Sequence, residues 1–255
     1  MSIVIHPLIQ GSTAWAAFRA LNDTASEASA MKGASTKTTR SELLRLKSTG
    51  SEKEFSAWVQ KNLLDKGHTI EAAIRPHIEA EIGDDLYPVT ITNTDYPGKS
   101  AALDGMTEDR SVIWECKSWN EAKAECVRQR TIPAEDIWQV VQQLTLSEAD
   151  RCIYTVSDGT PEHTLSTEFQ LSPALRKELL DGWEQFNKDK AEYEHVAAAP
   201  QVVGESVEAL PAVFAKVTGE VSVQDNFSTF EKALRHFLAE KLITENHKFG
   251  QFEDA

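Results

Sequence analysis

The strongest constraint on the fold of this chain is a run of β-forming residues that ends in Glu-Cys-Lys. Val112–Lys117 is rich in β-branched and aromatic side chains, which predicts a strand. Because side chains alternate along a strand, Glu115 and Lys117 are expected on one face and Cys116 on the other. A carboxylate and an ammonium side by side on one face indicate either a weak surface ion pair, which is common, or a catalytic pair.

An acidic residue upstream favours the catalytic interpretation. Asp104 precedes a polar turn, and a tight hairpin centred on Asp109 and Arg110 would set it opposite Glu115, with the two side chains roughly 5 Å apart. Facing carboxylates repel each other unless a cation lies between them, and a hard divalent ion prefers oxygen ligands. Lys117, one step along the same face, could then orient a water or contact a phosphoryl oxygen. This D-x(n)-E-x-K pattern is typical of metal-dependent nucleases.

Composition indicates a globular chain with reduced thiols. The 255 residues suffice for one large domain or for a domain with an appendage. No apolar run approaches the length of a membrane span, and no signal peptide is recognisable. The three cysteines, Cys116, Cys126 and Cys152, have no metal-type spacing, so we expect a cytoplasmic protein.

The net charge of −14 opposes DNA binding, because affinity for phosphates comes from Lys and Arg. Net charge describes the whole molecule, however, and a binding channel requires only local positive charge together with metal ions. The excess acidity can lie on the outside and keep the protein soluble. Composition therefore does not exclude a nuclease.

Local patterns predict alternating helices and strands around that hairpin. Thr24 and Glu27 have capping-box spacing, so a helix is expected to begin there and to run past Met31. Pro76 is expected to break or kink the helix in which it lies. The other predicted helices cover residues 41–47, 52–65, 70–81, 119–129, 133–147 and 171–195, and the other predicted strands cover residues 86–92 and 151–157.

Shifts in composition divide the chain into three segments. We predict a main domain over residues 1–196, a linker over 197–210 that is rich in Ala, Pro, Val and Gly, and an extension over 211–255. The extension alternates like strands over 211–223 and has a helical period over 229–243. It is too short to hold a core of its own, so we expect it to be part of a second domain.

Five sequence blocks resemble the lambda exonuclease and YqaJ-like viral recombinase family of the PD-(D/E)XK nuclease superfamily. In chain order they are Trp15 and Arg19 with Thr24–Glu27, then Gly67–Arg75, Asp104–Gly105, Glu115–Lys117 and Trp138–Val140. The resemblance covers residues 12–190 and departs from the family pattern at Asp23, where the family has Ile, and at Ile74, where it has Ala. It implies an α/β fold with a restriction-endonuclease-like core, in which helices flank a central mixed sheet.

The resemblance also implies a set of metal ligands. Asp104, Glu115 and the Cys116 carbonyl would bind Mg²⁺, with Mn²⁺ as an alternative, and Glu71 would be an outer or second-metal ligand. From the residues alone, Glu71 is equally well explained as half of an i,i+4 ion pair on a helix surface. Glu54 competes with Glu71 for the same place in the family pattern but lacks the downstream Arg.

Four further residues are implicated in catalysis and in binding the DNA end. Lys117 would deprotonate or orient the attacking water, and Gln139 would contact Lys117, the water or the scissile phosphate. Arg19 and Ser26 would hold the 5′-terminal phosphate, because free N–H groups and the dipole at a helix N-terminus favour an anion. Without the resemblance, Gln139 could be a surface amide, Ser26 a spare helix cap and Arg19 a surface ion-pair partner.

The function implied by the resemblance is a phage-type exonuclease that degrades linear duplex DNA from 5′ to 3′ for recombination by single-strand annealing. Its partners would be duplex DNA with a free end, a phage single-strand annealing protein and further copies of the chain in a homotrimer. It would act in the cytoplasm of a bacterial host, away from membranes. Two alternatives remain open: an endonuclease or nickase of the same superfamily, and a DNA-binding module without catalysis, against which the complete Asp104, Glu115 and Lys117 set argues.

Overall fold

The computed structural model of the chain describes residues 2–8, 12–50 and 65–198. The residues described up to Glu194 form one structural unit. Glu54, all but the last residue of the helix predicted at 52–65, most of the predicted linker and the whole predicted extension lie outside the described residues. The division of the chain into three segments therefore stays a prediction.

The described residues contain one seven-stranded sheet and helices on both of its faces. The strands are β1 Ile3–His6, β2 Asp23–Thr24, β3 Tyr87–Asn93, β4 Lys99–Met106, β5 Val112–Ser118, β6 Arg151–Ser157 and β7 Thr164–Phe169. The α-helices are α1 Thr13–Ala20, α2 Ala28–Met31, α3 Arg40–Thr49, α4 Asp65–Ile82, α5 Glu121–Arg128, α6 Ile137–Ser147 and α7 Pro173–Ala198, and 3₁₀ turns cover Ala25–Glu27 and Pro161–His163. None of the helices in this part of the chain is long and apolar enough to cross a membrane.

Strand β4 has different partners at its two ends. The sheet order is β1-β3-β4-β5-β6-β7, and β2 lies beside β4. β3 pairs along one edge of β4. Two strands share the opposite edge: β2 pairs with Lys99 and Ser100, and β5 pairs with Gly105 and Met106. This edge is therefore open between the two partner strands, and Asp104 lies at the point where β5 diverges.

The sheet is mixed, as predicted, and both of its faces are covered near β5. The β2–β4 and β5–β6 pairs are parallel and the other neighbouring strands are antiparallel. On one face α6 packs over the sheet, and its Val140 joins Ile113 in one core cluster. On the other face α4 contributes Ile74, which packs with Trp114. Residues in phase with Ile113 along β5, including Glu115, therefore face α6.

Several local predictions are confirmed and two are wrong. The capping box of Thr24 and Glu27 is present, but the helix that it starts is a 3₁₀ turn followed by a short α-helix that ends at Met31. The predicted break at Pro76 is wrong, since α4 runs without interruption through it, and the alternative of a kink there stays a prediction. Pro76 removes one backbone donor, and the rest of the 18-residue helix keeps its fold because one face packs on the sheet. The sequence patterns do not predict the two edge strands, β1 and β7.

Candidate active site

The hairpin that carries the predicted carboxylates has the expected register. β4 and β5 pair Gly105 with Trp114 and Met106 with Ile113, and the same register continued by one residue sets Asp104 opposite Glu115. The ladder stops there, and Asp104 Oδ2 instead accepts the backbone N–H of Cys116 at 2.8 Å. The residue after Asp104 is Gly105, and this position has no room for a side chain. A Cβ added to Gly105 would lie 2.8 Å from Leu86 Cβ. The geometry explains both residues of the Asp-Gly pair.

Glu115, Lys117 and Gln139 converge in a single hydrogen-bonded cluster. Lys117 Nζ donates to Glu115 Oε1 at 2.5 Å and to Gln139 Oε1 at 2.9 Å, and Gln139 Nε2 donates to Glu115 Oε1 at 2.6 Å. Glu115 is 2% exposed, so its charge is held almost entirely by these donors. Lys117 keeps 23% of its side chain exposed and faces the opening of the cluster.

Gln143 is a member of this cluster that the sequence analysis did not assign to the site. Its Nε2 donates to Glu115 Oε2 at 2.5 Å and to the Ala102 carbonyl at 3.0 Å. It is 1% exposed, and its Oε1 is buried with no hydrogen-bond partner in the described part of the chain. Gln143 lies one helical turn after Gln139, so the i,i+4 spacing was visible in the sequence, but the spacing alone does not distinguish a buried amide from a surface one.

The neighbouring Gln142 joins α6 to the open edge of β4. Its Nε2 donates to the carbonyls of Asp23 at 2.7 Å and Ser100 at 3.1 Å, and its Oε1 accepts from Trp183 Nε1 at 2.6 Å. Buried backbone carbonyls that lack a ladder partner require another donor. The two glutamines supply it, and in doing so they fix α6 against the strand that carries Asp104.

The site has an excess of buried negative charge. Burial raises the pKa of Asp104 well above its ordinary value, and the carboxylates of Glu115 and Glu71 raise it further. For Lys117, burial disfavours the charged form, but the surrounding carboxylates, Glu115 foremost, raise its pKa above the ordinary value. Lys117 is therefore an ammonium at neutral pH, but its charge and the Cys116 N–H only partly offset the burial and the carboxylates that raise the pKa of Asp104.

Glu71 is held on α4 at the border of this cluster. Its Oε1 lies 2.5 Å from Arg75 Nη2, and Arg75 also donates to the Leu86 carbonyl at 2.8 Å and lies 5.0 Å from the Trp114 ring centroid. Burial raises the pKa of Glu71, and the nearby Glu115 contributes, while Arg75 lowers it. The i,i+4 ion pair is thus present, and the role of Glu71 as an outer metal ligand stays a prediction.

Within the described ranges, no three His, Cys, Asp or Glu side chains converge as a complete metal-binding group. The candidate set is smaller: the carboxylates of Asp104 and Glu115, and the backbone carbonyl of Cys116. The Cys116 thiol itself is unsuited to bind a metal, because burial and the adjacent carboxylates raise its pKa far above the ordinary value. Oxygen atoms alone are therefore available as ligands here.

Arg19 and Ser26, predicted to bind a terminal phosphate, are in contact. Arg19 Nη1 donates to Ser26 Oγ at 3.1 Å, and the guanidinium lies 4.6 Å from the Trp15 ring centroid and 3.8 Å from Glu27 Oε1. The expected support from a helix dipole is wrong, because Ser26 lies in a three-residue 3₁₀ turn that precedes a helix of only four residues. The positive charge here comes from Arg19 and from Lys47, whose Nζ lies 2.8 Å from Glu27 Oε2.

Strand β4 connects the predicted phosphate-binding residues to the carboxylates. Thr24, two residues before Ser26, pairs with Ser100, and Asp104 follows Ser100 by four residues on the same strand. At about 3.3 Å per residue, the two positions on β4 are roughly 13 Å apart. The sheet therefore fixes the separation of Asp104 from the strand pair that precedes Ser26.

Two further lysines lie near Lys117. Lys37 belongs to the loop between α2 and α3, where Thr36 Oγ1 donates to Glu135 Oε2 at 2.5 Å. Burial lowers the pKa of Lys37, and the ammonium groups of Lys123 and Lys117 lower it further. Lys117 is paired with Glu115, and Lys123 is paired with Glu135 and Asp136, so carboxylates balance the charge of these two lysines. Lys37 escaped the sequence analysis because it lies in a polar loop without a periodic pattern.

Comparison with known proteins gives a family and a fold for this chain. Residues 14–150 match the YqaJ-like viral recombinase domain. None of the curated protein sequences matches the chain. The fold resembles the alkaline exonuclease LHK-Exo from Laribacter hongkongensis, with a TM-score of 0.60 and 19% identity over 73% of this chain and 96% of that one. The structure of LHK-Exo in complex with dAMP gives a TM-score of 0.58 and 20% identity, and covers 71% of this chain and 93% of that one.

A third solved structure has the same fold. The phage-related exonuclease from Haemophilus somnus 129PT gives a TM-score of 0.50 and 13% identity, and covers 70% of this chain and 97% of that one. At these identities the likeness concerns the fold. All three neighbours are matched over nearly their whole length, so the shared part is a complete chain of that type.

Proposed function

The chain belongs to the YqaJ-like viral recombinase family, and from that membership we propose that it is a metal-dependent exonuclease that degrades linear duplex DNA from 5′ to 3′. Within that family the fold alone does not determine chemistry, so the proposal depends on the site residues. It agrees with the structural neighbours, which are described as an alkaline exonuclease and a phage-related exonuclease.

The observation that carries the proposal is the convergence of Asp104, Glu115 and Lys117 at one point on the sheet. Asp104 lies on β4, Glu115 and Lys117 lie on β5, and the two strands diverge at Asp104. Gln139 and Gln143 hold Glu115 in a fixed orientation from the facing helix. A buried polar cluster of this kind has little structural advantage over an apolar core, which favours a functional explanation.

The donor set suits Mg²⁺. Burial and like charge raise the pKa of Asp104, and a divalent cation beside it would remove that repulsion. Mg²⁺ is commonly bound by one or two carboxylates, with waters and substrate phosphates in the remaining positions, so a two-carboxylate site is sufficient. Three hydrogen bonds use three of the roughly four lone-pair sites of the Glu115 carboxylate, which leaves one for a cation.

In the proposed reaction each residue has a separate task. When bound by Asp104, Glu115 and the Cys116 carbonyl, Mg²⁺ supplies activation of the attacking water and stabilisation of charge on the phosphoryl oxygens. Lys117 holds Glu115 in place and presents its ammonium to a phosphoryl oxygen or to the water. Gln139 fixes the direction of the Lys117 ammonium through its Oε1.

The choice of a DNA end is assigned to Arg19 and Ser26. A 5′-terminal phosphate carries more negative charge than an internal diester, and a guanidinium binds it through charge-assisted hydrogen bonds. Arg19 is held against Trp15 and Ser26 in a position to do so. We further propose that the protein acts as a homotrimer together with a phage single-strand annealing protein, as the family resemblance implies.

The proposal is tested by cleavage of linear duplex DNA with and without Mg²⁺ by the unmodified chain, Asp104→Asn and Glu115→Gln. The unmodified chain should cut only with the ion, and both variants should lose activity by orders of magnitude while keeping the circular dichroism spectrum of the unmodified chain. Near-normal cleavage by either variant contradicts the assignment of the site.

A further inference from the structure

Trp119 continues the face of the strand that carries Glu115 and Lys117. The β5–β6 ladder ends at the pair of Ser118 and Ser157. The next residue, Trp119, donates its backbone N–H to the Ser157 carbonyl at 2.6 Å. The backbone therefore stays bonded to β6 for one more residue, and alternation puts Trp119 on the side of Lys117. Trp119 also packs partly against the core cluster that contains Ile113, which lies on the same face.

The Trp119 indole is only partly buried, and a second ring lies beside it. The rings of Trp119 and His163 have their centroids 5.6 Å apart and are tilted by 48°. His163 is held by Asp158, whose Oδ2 lies 3.0 Å from His163 Nδ1, and 65% of its side chain is exposed. An apolar core requires neither the exposed histidine nor its carboxylate partner, so the pair forms an open aromatic surface at the end of β5.

The loop that carries His163 reaches the border of the proposed active site. The backbone of Gly159 approaches α4 so closely that a Cβ added there would lie 3.7 Å from the Cα of Ile70. Ile70 immediately precedes Glu71, whose charge acts on Asp104 and Glu115. The loop that carries His163 therefore lies against the helix that carries Glu71.

We propose that Trp119 and His163 form a stacking surface for a nucleobase next to the scissile phosphate. The inference rests on the proposed nuclease function and adds a base-binding subsite to it. In a nucleotide whose phosphate lies at Lys117, the base is about one side-chain length away from that phosphate. Trp119 is the next side chain after Lys117 on the same face of the strand, so it can reach the base. Every base has an aromatic face, so the contact is indifferent to sequence, as an exonuclease that degrades duplex DNA of any sequence requires.

The test is a mutant cycle between protein and substrate. Cleavage of a 5′-phosphorylated linear duplex in Mg²⁺ is compared with cleavage of duplexes that lack the base of the first or the second nucleotide. Trp119→Leu should lower kcat/KM on the intact duplex by about 5- to 150-fold, the range for one stacked base. On one of the two abasic duplexes the same substitution should have almost no effect, because the contact is already lost. Trp119→Phe should retain most of the activity.

Two further variants make the result independent of how well Trp119→Leu folds. His163 is exposed, so His163→Leu should fold normally and give a smaller loss that is also absent on the abasic duplex. Tyr193→Leu, at an exposed aromatic residue on α7, is the control and should cut all substrates like the unmodified chain. If Trp119→Leu and His163→Leu each lose as much activity on the abasic duplexes as on the intact duplex, the base subsite is overturned. Absence of cleavage of every substrate by the unmodified chain would instead overturn the proposed function.

Discussion

Replacing Lys117 by Met should destabilise the metal-free protein, because the substitution leaves the Glu115 carboxylate buried without a positive charge. Lys117 Nζ lies 2.5 Å from Glu115 Oε1, and Glu115 is 2% exposed. The other two donors to that carboxylate, Gln139 and Gln143, are neutral amides. Methionine keeps the length and apolar character of the lysine stem, so the loss of charge is the main change.

The size of the effect follows from the exposure of the pair. Removal of one partner from a fully buried ion pair costs about 3–5 kcal/mol. The Lys117 side chain is 23% exposed, so water can enter and the two amides remain. The expected cost is therefore that of one charged hydrogen bond, roughly 1.5–3 kcal/mol. At about 2–4 °C for each kcal/mol in a chain of this size, Tm should fall by about 3–12 °C.

The assay is thermal unfolding in EDTA, because a bound cation would replace the missing charge. Glu115→Gln removes the charge that Lys117 neutralises. Adding Lys117→Met to Glu115→Gln should therefore lower the free energy of unfolding by at least about 1 kcal/mol less than Lys117→Met lowers it in the unmodified chain. Lys188→Met is the matched control, since Lys188 forms an ion pair with Glu184 at 2.6 Å on an exposed helix face. It should leave Tm unchanged. The reasoning is refuted if Lys117→Met lowers Tm no more than Lys188→Met, or costs the same in both backgrounds.

Two other predictions concern the remaining predicted site residues. Asp104→Asn should raise Tm in EDTA at pH 8, because burial and the neighbouring carboxylates raise the pKa of Asp104, and the unmodified chain loses stability as the pH rises through that pKa. The gain in Tm should vanish below about pH 4, the ordinary pKa of Asp. The prediction is contradicted if Asp104→Asn and the unmodified chain melt at the same temperature at pH 8. Arg19→Ala should reduce the preference for 5′-phosphate over 5′-hydroxyl ends by about ten- to a hundredfold, from a contact worth roughly 1.5–3 kcal/mol, with little change on 5′-hydroxyl ends. Arg128→Ala, at an exposed arginine on α5, is the control for that comparison, and an undiminished preference in Arg19→Ala would remove the end-binding role.

Strand β5 and the hairpin before it could be predicted from sequence because their signal is local. Alternation along β5 puts Glu115 and Lys117 on one face, and the hairpin turn fixes Asp104 opposite Glu115. Both inferences depend on residues within about fifteen positions of each other. The capping box of Thr24 and Glu27 was predictable for the same reason.

What the sequence could not provide depends on contacts between distant segments. Gln143 is recognisable as a site residue only when β4 and β5 diverge and leave the Ala102 carbonyl without a partner. Lys37 reaches the site through a loop with no periodic pattern. The helix after Thr24 stops at Met31, although its capping box gives no indication of its length. Tertiary packing also holds α4 together across Pro76, against the local preference of that residue.

Hydrolysis of DNA from an end, with the help of a divalent ion, is the activity that we propose for this chain. The most direct measurement is digestion, by the unmodified chain, of 5′-phosphorylated linear duplex and of the same DNA as a covalently closed circle, each with Mg²⁺ and with EDTA. We predict rapid loss of the linear duplex in Mg²⁺ only, with the circle intact. Cleavage of the circle at the same rate, or loss of the linear duplex in EDTA, would contradict the account.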